Sequence, residues 1–426
     1  MTKSLQREFS KHVGSTFSTQ VLRVALSVAK AAIIARWLGP EGKGMLALAL
    51  LVPGMLGLFL SGGIGAANVY YAGSRRLDVS ALTANCIGFA LLAALVGFGV
   101  VFATAAAGWF EVVVPGVPTW IVLVAMLGFP TSLLNGFFST ILQGLQRIVT
   151  VNLIDLFQST LSLLLTVLFV IGFQLGLLGA LVASLGAGVF GLIVFGTILN
   201  REGGVFSPRW SYPVMRSTLS FGLKGHIGNV LQFFNYRLDT FIVNYFIGAA
   251  GVGIYSVAVA LAELLWHLPN AVAFVIFPKA AASSPEEMNV FTPRVFRITL
   301  VLTALGALCL TLVGRPIINF VFSSAFADSY TPMLVLLPGV VLLGGAKVLT
   351  NEIAGRGYPH YNSVNSGLAL VLTVLLDLAL IPRYSVLGAA LASSIAYSGI
   401  FITAVAFFLV VSRRSKDKAS VTISVT

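Results

Sequence analysis

Apolar runs of about twenty residues recur about twelve times along this chain, with only short polar connections between them. A helix needs about 20 residues to cross the hydrocarbon core of a bilayer, because each residue advances it by roughly 1.5 Å. No water in that core satisfies backbone N–H and C=O groups, so such a run folds as a helix that satisfies its own. The runs lie near 15–37, 44–68, 82–106, 117–141, 151–173 and 176–199, then near 218–247, 251–277, 294–314, 330–350, 362–381 and 386–411. Charged residues are 9% of the 426, against roughly 25% in soluble globular domains. The expected fold is therefore an all-α polytopic membrane protein of about twelve transmembrane helices.

The residues between the runs set the organisation. Residues 1–14 form a polar, basic N-terminus with Lys3, Arg7 and Lys11, and the run after it exceeds a signal-peptide core, so it is expected to persist as the first span. Six spans fill 15–199, a polar linker with Arg201, Glu202, Arg209 and Arg216 covers 200–217, six more fill 218–411, and a basic tail covers 412–426. With both termini placed in the cytoplasm, 17 of the 26 Lys and Arg residues fall on the cytoplasmic side, 4 on the opposite side and 5 within spans. That asymmetry follows the positive-inside rule and accounts for the net charge of +12 without any nucleic-acid partner. Cys86 and Cys309 are single thiols within apolar spans, which excludes a CxxC redox or metal motif.

A shift of 209 positions superposes the two halves twice. Leu38-Gly39-Pro40-Glu41-Gly42-Lys43-Gly44 falls on Ile247-Gly248-Ala249-Ala250-Gly251-Val252-Gly253, and Leu178-Gly179-Ala180-Leu181-Val182-Ala183-Ser184 falls on Leu387-Gly388-Ala389-Ala390-Leu391-Ala392-Ser393. Six helices per half is an even number, so the repeat is parallel, with a pseudo-two-fold axis along the membrane normal. Transporters built from such repeats bind substrate between their halves. The glycines suit tight turns between consecutive spans, and they follow a transmembrane helix instead of the strand that a dinucleotide fingerprint requires.

Five basic residues sit inside the runs, where a charge costs roughly 2.5–3.5 kcal/mol and marks a cavity or a bundle interior. Arg23 and Lys30, seven residues apart, share a face of the first span with Ser27. The seventh span is the most polar, with Lys224, His226, Asn229, Gln232, Asn235, Arg237 and Asp239. Lys224 and Asn235 share one face, while His226 and Arg237 lie nearly opposite, so this helix meets a polar surface on both sides. Glu263 in the eighth span is a candidate partner for Arg237. The 209 offset places Lys30 opposite Asp239, so the two either pair across the cleft or each has a partner within its own half. Asp239, Glu263 and His226 are the coupling or gating candidates. Asp155, Gln158, Lys347, Glu352 and Asp377 read first as structural polar contacts between helices.

The segment Ile34-Ala35-Arg36-Trp37-Leu38-Gly39-Pro40-Glu41-Gly42-Lys43-Gly44 resembles the first-hairpin pattern of polysaccharide transporters. These belong, with the O-antigen flippases, to the multidrug/oligosaccharidyl-lipid/polysaccharide flippase superfamily. The echo at Gly248–Gly253 and the paired Leu-Gly-Ala motifs fit the same pattern over the whole chain. The resemblance implies two six-helix lobes working by alternating access in a bacterial cytoplasmic membrane. It implies an undecaprenyl-diphosphate-linked oligosaccharide as substrate, surrounding membrane lipid, H+ or Na+ as the coupling ion, and a polysaccharide polymerase and glycosyltransferases as partners. Arg23, Lys30, Lys224 and Arg237 suit a diphosphate, since guanidinium and ammonium groups form charge-assisted bonds to its oxygens. Phe233, Phe234, Tyr236 and Trp266 can stack on sugars.

The alternative is a cation-coupled exporter of amphipathic drugs from the same superfamily, driven through Asp239 and Glu263. An enzyme is not expected: the sequence has no paired-carboxylate motif, no metal-ligand spacing and no large soluble loop. No metal or cofactor is expected either.

Overall fold

The computed structural model describes residues 3–204 and 211–423. Arg209 of the linker and the last three residues of the tail lie outside the described residues. Every regular element described is helical. Ten helical stretches among the described residues are long and apolar enough to cross a bilayer, which makes the chain a multi-pass membrane protein.

The ten relate simply to the twelve runs. The first two runs lie in one stretch, Thr19–Leu60, within helix α1 (Lys3–Leu60). Gly39 breaks it with φ 66° and ψ −176°, immediately before Pro40. Residues before proline are driven out of the helical region, and glycine takes the positive φ without strain. The seventh run falls in a 36-residue helix (Tyr212–Ile247) that is not one of the ten, because its many polar side chains dilute its apolar character.

The chain separates into two compact units, Met1–Ile227 and Gly228–Thr426. In the first, α1 is followed by α2 (Ile64–Gly73), α3 (Val79–Ala106), α4 (Phe110–Val113), α5 (Thr119–Met126), α6 (Gly128–Gly144), α7 (Ile148–Thr166) and α8 (Gly176–Arg201). Its core is aromatic and aliphatic, with Met126, Phe129, Phe138 and Leu142 fully buried between helices. The opposite surfaces remain apolar: Leu95 and Phe102 of α3 are each 71% exposed, as side chains that face lipid tails can be.

Patterning places the boundary between halves at 217/218, whereas compactness puts it ten residues later, inside α9 (Tyr212–Ile247). The cause is local packing. Phe221 stacks on Tyr70 with centroids 4.6 Å apart, and Tyr71 Oη donates to the Ser217 carbonyl at 3.4 Å. Backbone against backbone, Gly222 meets Gly62 and Gly63: a Cβ on Gly222 would lie 2.6 Å from the Gly62 oxygen and the Gly63 carbonyl carbon. Small residues let membrane helices approach this closely. Gly222→Ala is therefore expected to destabilise the protein by about 3 kcal/mol, the upper end of overpacking penalties. Gly228→Ala, six residues further along the same helix and facing open space, should be neutral or stabilising by about 0.5 kcal/mol through helix propensity. Thermal unfolding of the two purified variants checks the contrast.

The second unit continues with α10 (Ala249–Glu263), α11 (His267–Ala282), α12 (Pro285–Ile317), α13 (Tyr330–Gly355), α14 (His360–Tyr384) and α15 (Val386–Ile423). Helix α13 is the most buried of the ten spans and packs against α10, α11, α12 and α15. Its glycines permit this: a Cβ on Gly339 would come within 2.5 Å of Ser394 Cα on α15.

The internal repeat is visible in the backbone. Gly248, 209 positions after Gly39, adopts φ 89° and ψ −179°, the same left-handed break before a helix. Gly42 and Gly251 then each sit one turn on, where a Cβ would strike Leu38 (2.8 Å) and Ile247 (2.5 Å), again 209 apart.

Candidate functional site

In the first unit, α1 and α7 run side by side in one register. Arg23 Nη1 donates to Asp155 Oδ2 at 3.0 Å, and seven residues later on both helices Lys30 Nζ donates to Ser162 Oγ at 2.7 Å. The repeated offset of 132 means the helices are parallel and the polar stripe of α1 is met by a polar stripe of α7. Lys30 reaches a third helix through Ser184 Oγ of α8, at 3.0 Å. Its two partners are hydroxyls, and no carboxylate pairs with it among the described residues. Arg23 is the reverse case, a guanidinium already neutralised.

Ser184 also borders a cavity of about 430 Å³ within this unit, lined by Pro53, Thr131, Asn135 and Gln158 among mostly apolar neighbours. Asn135 donates to the Gly188 carbonyl at 2.9 Å, while its buried Oδ1 has no partner among the described residues. Lys30 thus stands beside a space that holds unsatisfied hydrogen-bonding capacity.

In the second unit, Arg237 grips Glu263 through both terminal nitrogens, at 3.1 and 3.3 Å, the contact that the sequence suggested. Asp239 is buried and fully engaged: Tyr255 Oη donates to it at 2.5 Å, the Thr240 amide at 2.7 Å and Ser393 Oγ at 3.4 Å. The repeat reappears here with its charge inverted. Lys30 contacts Ser184, and Asp239 contacts Ser393, each pair 154 residues apart and each residue 209 from its counterpart. Lys30 and Asp239 therefore both have partners within their own halves.

Asp377 of α14 is a second buried acid in this unit. It is completely buried, and neither of its carboxylate oxygens has a hydrogen-bond partner among the described residues. Sequence reading ranked it as a structural contact. Its orphaned oxygens are what single it out, since buried polar groups are otherwise almost always paired.

The remaining candidates are dispersed. Lys224 is exposed and forms no ion pair among the described residues, and it belongs with the first unit. His226 is buried, and its Nε2 has no partner among the described residues. Of the aromatic residues, Tyr236 and Trp266 come together, with ring centroids 4.9 Å apart, and Phe233 and Phe234 pair with each other at 6.3 Å. Of the four cations expected to hold a diphosphate, the two arginines are bound in ion pairs and Lys30 is held by neutral groups. The described residues contain no cluster of metal-ligating side chains.

Residues 33–331 match the family of polysaccharide biosynthesis proteins. Among curated relatives, a Shigella flexneri protein named "Putative O-antigen transporter" is 23% identical over 389 residues, covering 87% of this chain and 90% of its own. Among solved structures, the lipid II flippase MurJ in an inward closed conformation superposes with TM-score 0.72 at 15% identity, covering 95% of this chain and 90% of MurJ. An inward-facing multidrug resistance MATE transporter gives TM-score 0.70 at 16% identity, covering 93% and 98%. With a family match over most of its length, the chain belongs to the polysaccharide biosynthesis proteins, and it shares its all-helical polytopic fold with MurJ and the MATE transporter.

Proposed function

We propose that this polysaccharide flippase-type transporter moves undecaprenyl-diphosphate-linked oligosaccharides across the cytoplasmic membrane by alternating access, with both termini in the cytoplasm. Lys30 carries the reading. An ammonium group within an apolar span, held by two hydroxyls and no carboxylate, keeps its positive charge available for an anionic headgroup. The ion-paired Arg23 and Arg237 each tie two helices together within their own unit and are not the primary ligands of a diphosphate. Family membership and the flippase-like relatives support a saccharide substrate over a drug.

The buried acids Asp239 and Asp377 supply the coupling site. A proton or a Na+ ion taken up by Asp377 would offset a carboxylate buried in the span and satisfy its orphaned oxygens. Its release on the other side of the membrane would restore that buried charge and favour the opposite state.

Complementation of a host lacking its own flippase tests the substrate assignment. Lys30→Gln should cut surface polysaccharide about 10-fold or more, the loss of one charge-assisted contact, and lipid-linked precursor should accumulate inside. Lys30→Arg should restore most of the activity. Unchanged polymer in the Gln variant, with normal membrane insertion, would remove Lys30 from the substrate site. Failure of the native chain in every polysaccharide pathway tried, combined with drug efflux, would overturn the flippase reading.

A further inference from the structure

The second unit contains an ammonium group that the proposed function has not used. Lys347 projects from α13, and its Nζ donates to Asn270 Oδ1 of α11 at 2.8 Å through an exposed bond. The same nitrogen sits 4.3 Å above the indole of Trp266 and 5.8 Å from the ring centre of Tyr236. Tyr236 and Trp266 lie 4.9 Å apart, and Tyr397 closes the group 6.0 Å from Trp266.

An ammonium group has three N–H donors and no acceptor. One goes to Asn270, and the aromatic face balances part of the charge. No carboxylate among the described residues completes the set. Glu263 ends α10 just before Trp266, but Arg237 already holds both of its oxygens. A second donor is also unused on the same ring: Trp266 Nε1 is buried and has no partner among the described residues. The result is a cation with donor capacity to spare, reachable from outside and walled by aromatic rings.

We propose that Lys347, Asn270, Trp266 and Tyr236 form a subsite for an anionic pyranose, with the oxyanion on the Lys347 ammonium and the sugar ring against the aromatic wall. The chemistry suits either of two sources in a lipid-linked saccharide: the phosphate on the first sugar, or the carboxylate of an acidic sugar further along. Aromatic faces take the apolar C–H face of a pyranose, and the ammonium fixes its charged end, so the pair selects a charged sugar over a neutral one. This inference rests on the flippase reading but makes a separate demand, that an anion be recognised in the second half of the molecule by a lysine that pattern reading sets aside as structural.

Binding by the full chain in lipid nanodiscs tests it, with glucose 1-phosphate, methyl glucuronide and neutral methyl glucoside as probes in isothermal titration. At least one anionic probe should bind about 10-fold more tightly than methyl glucoside, the difference made by one charge-assisted hydrogen bond. Preference for glucose 1-phosphate assigns the subsite to the phosphate, and preference for methyl glucuronide assigns it to an acidic sugar. Lys347→Gln should erase the preference, Lys347→Arg should keep it, and both should melt within a few degrees of the native chain. Should Lys347→Gln misfold, Trp266→Phe provides the second variant. It keeps an aromatic wall, removes the indole N–H and weakens the cation contact, and it should lower the anionic preference without abolishing it. Equal affinity for charged and neutral probes, or a preference untouched by Lys347→Gln, overturns the proposal. If the native chain still complements a flippase deletion in that case, only the subsite falls. If complementation fails, the flippase reading falls whatever the probes do.

Discussion

Asp377→Asn is expected to uncouple transport while leaving the protein more stable than before. The two outcomes come from the same atoms. Asp377 is fully buried with neither oxygen hydrogen-bonded among the described residues, and an unsatisfied buried polar group costs about 1–3 kcal/mol, more when charged. Removing its charge relieves that cost, and Asp377→Leu removes the polar atoms altogether, so both variants should melt a few degrees higher. What is lost is the ability to carry an ion. A monovalent ion crossing 100 mV supplies about 2.3 kcal/mol, which corresponds to a factor of about 50 in accumulation. Transport of lipid-linked substrate into the outer leaflet of energised vesicles should fall by about that factor in either variant. Downhill exchange without a gradient should persist. A variant that is less stable and still accumulates substrate would show that Asp377 is a structural group with an unseen partner.

Arg356→Met is expected to destabilise the fold even more than Gly222→Ala. Arg356 and Glu352 form an ion pair one helical turn apart at the end of α13, with side chains 5% and 0% exposed. Arg356 Nη2 also donates to Asn289 Oδ1, 2.9 Å away on α12, while Nη1 has no partner among the described residues, and Thr292 Oγ1 of the same helix donates to Glu352 at 3.5 Å. Breaking a buried pair by removing one partner costs about 3–5 kcal/mol, because the other charge is left uncompensated. The Met side chain fills comparable volume, so the loss reports charge and not a cavity. The double variant Arg356→Met with Glu352→Leu should recover most of the stability. A single variant that unfolds within about 1 kcal/mol of native, measured by denaturant titration in micelles, would place water or lipid headgroups around this pair.

These expectations separate what the residues announce from what their neighbours decide. The sequence by itself determined the solvent: runs of some twenty apolar residues are too long for barrel strands and fit helices, which satisfy their own backbone in hydrocarbon. It determined the repeat as well, because Gly39 and Gly248 must break the helix wherever the chain turns between spans, and a positive φ leaves a glycine signature that survives divergence elsewhere. The polar positions were legible for a similar reason. A charge in an apolar span costs too much to stand by chance, so Arg23, Lys30, Arg237 and Asp239 are visible as exceptions.

Only the tertiary structure decided which of those charges are used up. Helical arithmetic places Arg23 and Lys30 on one face, but it does not say that α7 offers a carboxylate to the first and a hydroxyl to the second. The same arithmetic cannot show that Asp377 has no partner, or that Lys347 rests on Trp266 eighty-one residues away, because both facts depend on how helices distant in sequence pack. The boundary between units shows the limit most simply. Polarity places it at the end of the linker, while the close approach of Gly222 to Gly62 and Gly63 attaches the start of α9 to the first unit. Periodicity records which solvent each side chain prefers. Pairing depends on which backbone comes near enough to answer it, and that is settled by side-chain volume at crossings the sequence does not name.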